Sequence, residues 1–367
     1  MAFIYKEGFG MNTIMDLSEI NGYIGQLFMI GIPGPEFDKH TEYLIRDYNI
    51  GGIILFSRNI KDPLQLAKLC KDIQAVSLKY HGNRMFISID QEGGSVARLK
   101  EPFTVFPGNE AIVASPDPEK SAKQFATVTA REMKMVGLNM DLAPVMDVKR
   151  GEPDRHLKNR IFSDDPEKVG FLGSVVIDTL QEKGIMAVAK HFPGLGLANF
   201  DPHQGHVTIR YENGETGKDQ LLPFKKAVKQ KVSGIMTSHA LYPDIDPEYP
   251  GTLSHKILTG ILREKLKFKG LILTDDLEMG AISKNVGVAQ GAVSSFEAGA
   301  DILLVCENRK NVSDSIDLLR KKLLKNEITM ERLMASIDRI KAAKSLYLGT
   351  KKRISFAGIK KYFDLNV

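Results

Sequence analysis

Gly270-Leu271-Ile272-Leu273-Thr274-Asp275-Asp276-Leu277-Glu278-Met279 decides how the rest of the chain is read. Apolar or near-apolar residues behind a glycine predict a strand buried on both faces, and the run breaks off in two carboxylates. A carboxylate at the C-terminal end of a buried parallel strand stands where α/β enzymes keep their chemistry. Alone, such an Asp is equally the start of a loop or a helix N-cap. The remainder of the chain bears on this choice, because it repeats the same device.

Apolar runs recur at 27–32, 51–56, 85–90, 138–145, 184–189, 234–239 and 301–306, and amphipathic helical stretches separate them. Helices are predicted from Glu36 to Tyr48, from Asp62 to Tyr80 with Pro63 in the first turn, and from Pro118 or Glu119 to Val136. Others follow from Asp165-Pro166 to about Lys183, from Asp219 to Lys231, from Ser254 to Leu266 and around Gly291 to Ala298, with two closing helices at about 311–325 and 329–346. Eight strand–helix beats are the count of a closed (β/α)8 TIM barrel, an α/β fold, and fit an open doubly wound sheet less well. No Ser/Gly/Pro-rich linker divides residues 1–367, so one domain is predicted, with a short tail at about 348–367 whose Phe356, Tyr362 and Phe363 pack back on it.

Composition narrows the function. Among 367 residues the net charge is only +5, without a dense Lys/Arg block interleaved with aromatics, which argues against nucleic-acid binding. The Lys321-Lys322 pair and the Lys351-Lys352-Arg353 run read as solvated surface. Cys70 and Cys306 are far apart in apolar surroundings, as expected for buried free thiols in a reducing compartment. The N-terminus lacks a basic region followed by a sustained apolar run, and no long apolar stretch occurs, so the reading is a cytoplasmic protein without membrane insertion.

The strand ends supply Asp90, Asp147, Lys190, His191, His239 and Asp275. Each has a dull reading as a helix cap or satisfied loop polar group, but in a barrel all six project to one face and make a polar pocket. His191, His203, His206 and His239 could converge, yet no local ligand spacing is present, so neither a metal nor a cofactor is predicted. The glycines after Asp90 do not follow a nucleotide-binding spacing, and no Gly-x-Ser-x-Gly elbow exists. Residues 192–210 read as a long loop without clear periodicity. Within it, Asp201-Pro202-His203 is either a carboxylate–histidine pair able to pass a proton near neutral pH or a pair that stabilises a surface turn. With a strand-end Asp as attacking group, the first alternative suits covalent displacement at a sugar carbon.

Five segments carry a resemblance: Asp90-Gln91-Glu92-Gly93-Gly94, Leu142-Ala143-Pro144-Val145-Met146-Asp147-Val148, Lys190-His191-Phe192-Pro193-Gly194, Asp201-Pro202-His203 and Thr274-Asp275-Asp276-Leu277-Glu278-Met279. Asn159-Arg160-Ile161-Phe162 and Thr252-Leu253-Ser254 are weaker marks of the same kind. In this order they resemble the family 3 glycoside hydrolases, specifically the single-domain bacterial β-N-acetylhexosaminidases, over about residues 20–345. The resemblance implies retaining, exo-acting hydrolysis of terminal β-linked N-acetylglucosamine without a cofactor. It implies Asp275 as nucleophile, His203 as acid/base partnered by Asp201, and Asp90, Arg98, Arg160, Lys190 and His191 as ligands of the non-reducing sugar. The substrates it implies are chito-oligosaccharides or peptidoglycan fragments (muropeptides), for whose anionic leaving group a histidine acid is less repulsive than a glutamate.

The chain departs from that pattern in four places. Leu195 replaces a second histidine, Pro202 replaces a serine, His206-Val207 stands where Leu-Pro is usual, and Lys158-Asn159 stands where a glycine usually precedes the arginine. Two rivals are a β-glucosidase or β-xylosidase of the same family, which would usually carry a second domain, and a non-catalytic amino-sugar-binding protein.

Overall fold

In the computed structural model eight parallel strands close into a barrel. They are β1 (Phe28–Gly31), β2 (Gly52–Leu55), β3 (Phe86–Ile89), β4 (Met140–Asp141), β5 (Met186–Phe192), β6 (Gly234–Thr237), β7 (Leu271–Asp276) and β8 (Ile302–Val305), each paired with the next and β8 with β1. The structure describes residues 3–6, 12–15, 17–151, 157–196, 199–201, 206–210, 214–349 and 354–365. Among them no helix is long and apolar enough to cross a membrane.

Local chemistry explains where the helices begin. Asp62-Pro63, Asp117-Pro118 and Asp165-Pro166 start the helices Pro63–His81, Pro118–Val136 and Pro166–Glu182; each Asp accepts from backbone amides of the first turn, and each Pro fills a position whose N–H would go unused. Ser254 caps as expected, accepting from the amide of Ile257 at 3.2 Å, but the helix that follows, Lys256–Lys265, is wound as a π-helix around Gly260. At the N-terminal end of the barrel, buried Asp301 accepts from the Ile272 amide (2.9 Å), Ser336 Oγ (2.6 Å) and Arg339 Nε (3.0 Å), and pairs with Arg263. That cluster ties the foot of β8 to β7 and to the closing helix Met330–Leu348. The helix Phe356–Tyr362 follows, and the Phe363 ring rests on Phe103 at 4.8 Å between centroids, so the tail packs back as the aromatics predict.

One strand runs further than the sequence suggests. β5 does not stop at Ala189 but carries Lys190 and His191 as strand residues, because its neighbours continue beside it: Lys190 N donates to Pro144 O (3.1 Å), and Ser238 N donates to Phe192 O (2.9 Å). β7 ends in Asp275 and Asp276, as read from the sequence, with Asp276 paired to Leu304. The 192–210 segment is not wholly a loop, since Asn199–Asp201 pairs antiparallel with His206–Thr208 and Thr208 pairs with Leu241 beyond β6. Asn199, Asp201 and His206 give this hairpin no apolar period in the sequence.

Candidate active site

The C-terminal ends of β3 and β5 meet in an alternating chain of charges. Lys190 Nζ lies 2.6 Å from Asp90 Oδ1 and 2.7 Å from Glu92 Oε1. Arg160 grips Glu92 with two bonds of 2.8 Å, from Nε to Oε2 and from Nη2 to Oε1. Arg98 Nη2 reaches Asp90 Oδ2 at 3.3 Å, while Arg98 Nε is buried without a hydrogen-bond partner among the described residues. Such charges survive burial only because each is paired. Burial pushes Asp90 upward, but the charges of Lys190 and Arg98 outweigh it and hold the carboxyl below its usual range. Glu92 is held down in the same way against its burial by Lys190 and Arg160. For Lys190, burial favours the neutral amine, yet Asp90 and Glu92 raise its pKa and keep it charged.

Backbone packing sets this spacing. Gly93 and Gly94 take positive φ values of 83° and 57°, and Gly94 N donates to Phe106 O at 2.8 Å. A Cβ on Gly108 would lie 3.2 Å from Asn159 O, so the β3 loop, Gly108 and the Arg160 loop meet backbone to backbone. Asn159, where a glycine is usual in the resemblance, has φ 64°, a left-handed conformation that asparagine tolerates. Asn109 Nδ2 donates to Arg160 O at 2.7 Å and secures the loop.

Beside this network lies a second arrangement. Asp147, at the C-terminal side of β4, is wholly buried and accepts from His191 Nδ1 (2.8 Å), His191 N (3.2 Å) and Leu195 N (2.8 Å). A proton on Nδ1 fixes the ring tautomer, so Nε2 is the imidazole atom offered to a ligand. Leu195 packs on Val145, Leu157 and Ile161, an apolar cluster separate from the main core.

Across the barrel mouth, half-buried Asp275 ends β7, its Oδ1 accepting from the Asp276 amide at 2.8 Å. Asp276 is pushed up to about 6, chiefly by burial; the Glu278 amide and the Cys306 thiol bond its carboxyl and pull the other way. His239, after β6, places Nε2 2.9 Å from Asp276 O and Nδ1 2.7 Å from Thr252 Oγ1. Burial holds its pKa below the usual value.

Asp90, Arg98, Arg160 and Lys190 therefore share one network, His191 adjoins it through β5, and Asp275 occupies the end of β7. His203 lies outside the described residues, as does Pro202, and of Asp201 only the backbone is described. Sequence reasoning gave no role to Glu92, although strand alternation places residues 90 and 92 on the same side. Asp276 and Cys306 were also unassigned; neighbouring strand ends that touch leave no local pattern. Among the described residues no cluster of side chains could hold a metal ion.

The model of the glycosyl hydrolase family 3 N terminal domain matches residues 19–343. A β-hexosaminidase of Pseudomonas aeruginosa is 32% identical over 293 residues, covering 80% of this chain and 86% of the relative. One of Nitrosomonas eutropha is 33% identical over 306 residues, covering 82% and 85%. Among solved structures, a glycoside hydrolase family 3 β-N-acetylglucosaminidase from Paenibacillus sp. superposes with TM-score 0.87 at 33% identity, over 95% of this chain and 68% of that one. A β-N-acetylhexosaminidase from Beutenbergia cavernae superposes with TM-score 0.82 at 26% identity, over 90% and 99%.

Proposed function

The chain belongs to glycosyl hydrolase family 3, and from that premise we propose that it removes terminal β-linked N-acetylhexosamine residues, N-acetylglucosamine first among them, by exo-acting hydrolysis with retention of configuration. The observation that carries the reading is the Asp90–Lys190–Glu92–Arg160 network facing the same barrel mouth as Asp275. Fixed, paired charges present donors and acceptors at set positions to a sugar, with little reorganisation on binding.

Asp275 attacks the anomeric carbon as the leaving oxygen takes a proton, and a glycosyl ester forms on its carboxylate. His203, with Asp201 as its partner, supplies that proton and then removes one from the water that cleaves the ester. Asp90, Lys190, Arg160 and Arg98 bind the hydroxyls and the N-acetyl group. His191 offers Nε2 to the same sugar, with Asp147 on its other nitrogen. Residues 1–367 act as one catalytic unit on chito-oligosaccharides or muropeptides. They do so in the cytoplasm, with no nucleic-acid partner and no membrane insertion; the two free, buried cysteines support the reducing compartment.

The test compares hydrolysis of aryl β-N-acetylglucosaminide and aryl β-glucoside by the intact protein and by Asp275→Ala. Release from the N-acetyl substrate alone, falling at least about 10³-fold in the variant, is the expected result. Preference for the glucoside would move the chain to another branch of the family. Sugar binding without turnover of either substrate would make it a binding protein.

A further inference from the structure

His239 surfaces among the strand-end residues but has no part in the chemistry above. Resting on the reading of Asp275 as nucleophile, we propose that His239 is a positioning residue for it. Its Nε2–H holds the carbonyl of residue 276, whose amide in turn holds the nucleophile's carboxylate.

The ring is 6% exposed, at the end of β6 beside β7. Nε2 faces the Asp276 carbonyl at 2.9 Å, and a carbonyl can only accept, so the proton is on Nε2. With the ring neutral, Nδ1 accepts, and its hydrogen-bond partner is the Thr252 hydroxyl 2.7 Å away. Thr252 Oγ1 then accepts from Thr237 Oγ1 at 2.6 Å. The Thr252 hydroxyl also reaches Ser238 O at 3.0 Å, so its single proton is contested, and it is the Asp276 carbonyl that fixes the proton on Nε2. Burial disfavours the imidazolium and outweighs the opposing charge of Asp275.

Residue 276 is thereby held at both backbone groups. Its carbonyl is fixed by His239, and its amide donates to Asp275 Oδ1 at 2.8 Å. Its side chain accepts from the Glu278 amide at 3.1 Å, which keeps it from turning. Asp275 Oδ1 is thus committed, and Oδ2 becomes the attacking oxygen. A nucleophile has to be held near its productive geometry, and a displacement of about 1 Å costs about 10²-fold in rate.

An activated 5-fluoro derivative of N-acetylglucosamine, which accumulates the glycosyl-enzyme, reads the attack step directly. Labelling of Asp275 is followed by peptide mass mapping in the wild type, His239→Leu, His239→Gln and Thr252→Val. His239→Leu is expected to label about 10²-fold more slowly. His239→Gln, which keeps an N–H near the same place, should stay within about tenfold of wild type. Thr252→Val, which removes the partner that holds the ring at Nδ1, should fall between them and serves if His239→Leu does not fold. N-acetylglucosamine should bind all folded variants with near-wild-type Kd, because its ligands lie on other strands. Wild-type labelling rates in His239→Leu or Thr252→Val would overturn the clamp while leaving the nucleophile in place. A wild type labelled elsewhere, or not at all, would remove the nucleophile reading and the clamp with it.

Discussion

Glu92→Gln changes one atom in the most heavily charged part of the molecule, and its cost can be worked from the geometry. Glu92 Oε1 serves both Lys190 (2.7 Å) and Arg160 Nη2 (2.8 Å), while Oε2 serves Arg160 Nε (2.8 Å). A glutamine that keeps its oxygen at the first position turns an NH2 toward Arg160 Nε, donor against donor. The reverse orientation sets the NH2 against the Lys190 ammonium. Asp90 and Glu92 carry two negative charges against three positive ones on Lys190, Arg160 and Arg98, so the variant raises the local excess from one to two. Breaking a buried pair by removing one partner costs about 3–5 kcal/mol. At roughly 2 °C per kcal/mol for a chain of this size, Tm should fall by about 6–10 °C. Urea and thermal unfolding at pH 7 measure this, and Arg160→Met completes a double-mutant cycle whose coupling should reach at least about 1.5 kcal/mol. A Glu92→Gln protein within about 1 kcal/mol of wild type would refute the view that this carboxylate holds the two cations in place.

Asp147→Asn should leave the fold intact but remove the acceptor that fixes the His191 tautomer, lowering kcat/KM on the aryl N-acetylglucosaminide about 10²–10⁴-fold, as steady-state kinetics would show. Asp276 sits at about 6 against an ordinary 3.8, so the folded protein holds that proton more tightly than the unfolded chain does. Its stabilisation is full below about pH 4 and is lost as pH climbs through 6. At 1.36 kcal/mol per unit the ceiling is about 3 kcal/mol, reduced to about 1–2 because the group is partly exposed. Asp276→Asn should therefore be more stable than wild type at pH 8 by that amount and no more stable at pH 4, on denaturant curves at the two values. Gly196→Ala should lose soluble folded protein in an expression and melting assay, because its Cβ would stand 1.6 Å from the Val148 carbonyl oxygen.

The barrel was legible because buried parallel strands and amphipathic helices leave the strongest periods a sequence carries. Asp-Pro pairs marked three helix starts to within a residue, since cap and first-turn chemistry is local. The end of β5 was misjudged where charged residues continue a ladder. Lys190 is admissible there only because Asp90 and Glu92, about a hundred residues earlier, neutralise it. That kind of dependence has no local trace. Asp90, Lys190, His191 and Asp275 were visible one by one at strand ends, whereas Arg98 and Arg160 came only through resemblance, because loop arginines carry no period. The bonds from His239 to Asp276 and Thr252 join the segment after β6 to the end of β7 and needed the fold to be seen.

Leu195 is the departure that bears most directly on whether the site is competent. What the site takes from residue 195 is its backbone amide, which donates to Asp147 Oδ1 and so helps hold the acceptor of His191. That bond is indifferent to the side chain. The leucine instead joins Val145, Leu157 and Ile161, the last of these directly beside Arg160. An imidazole in that place would need a partner within an apolar cluster, at a cost of about 1–3 kcal/mol if none were met. The substitution thus leaves the Asp147–His191 pair whole and fastens the loop that brings Arg160 to Glu92 by packing. Loss of catalysis does not follow from it. Leu195→His should accordingly melt lower than wild type by calorimetry while gaining no activity on the aryl N-acetylglucosaminide; a gain of tenfold or more, on the order of 1.4 kcal/mol of barrel-mouth chemistry, would show instead that the side chain belonged to the reaction.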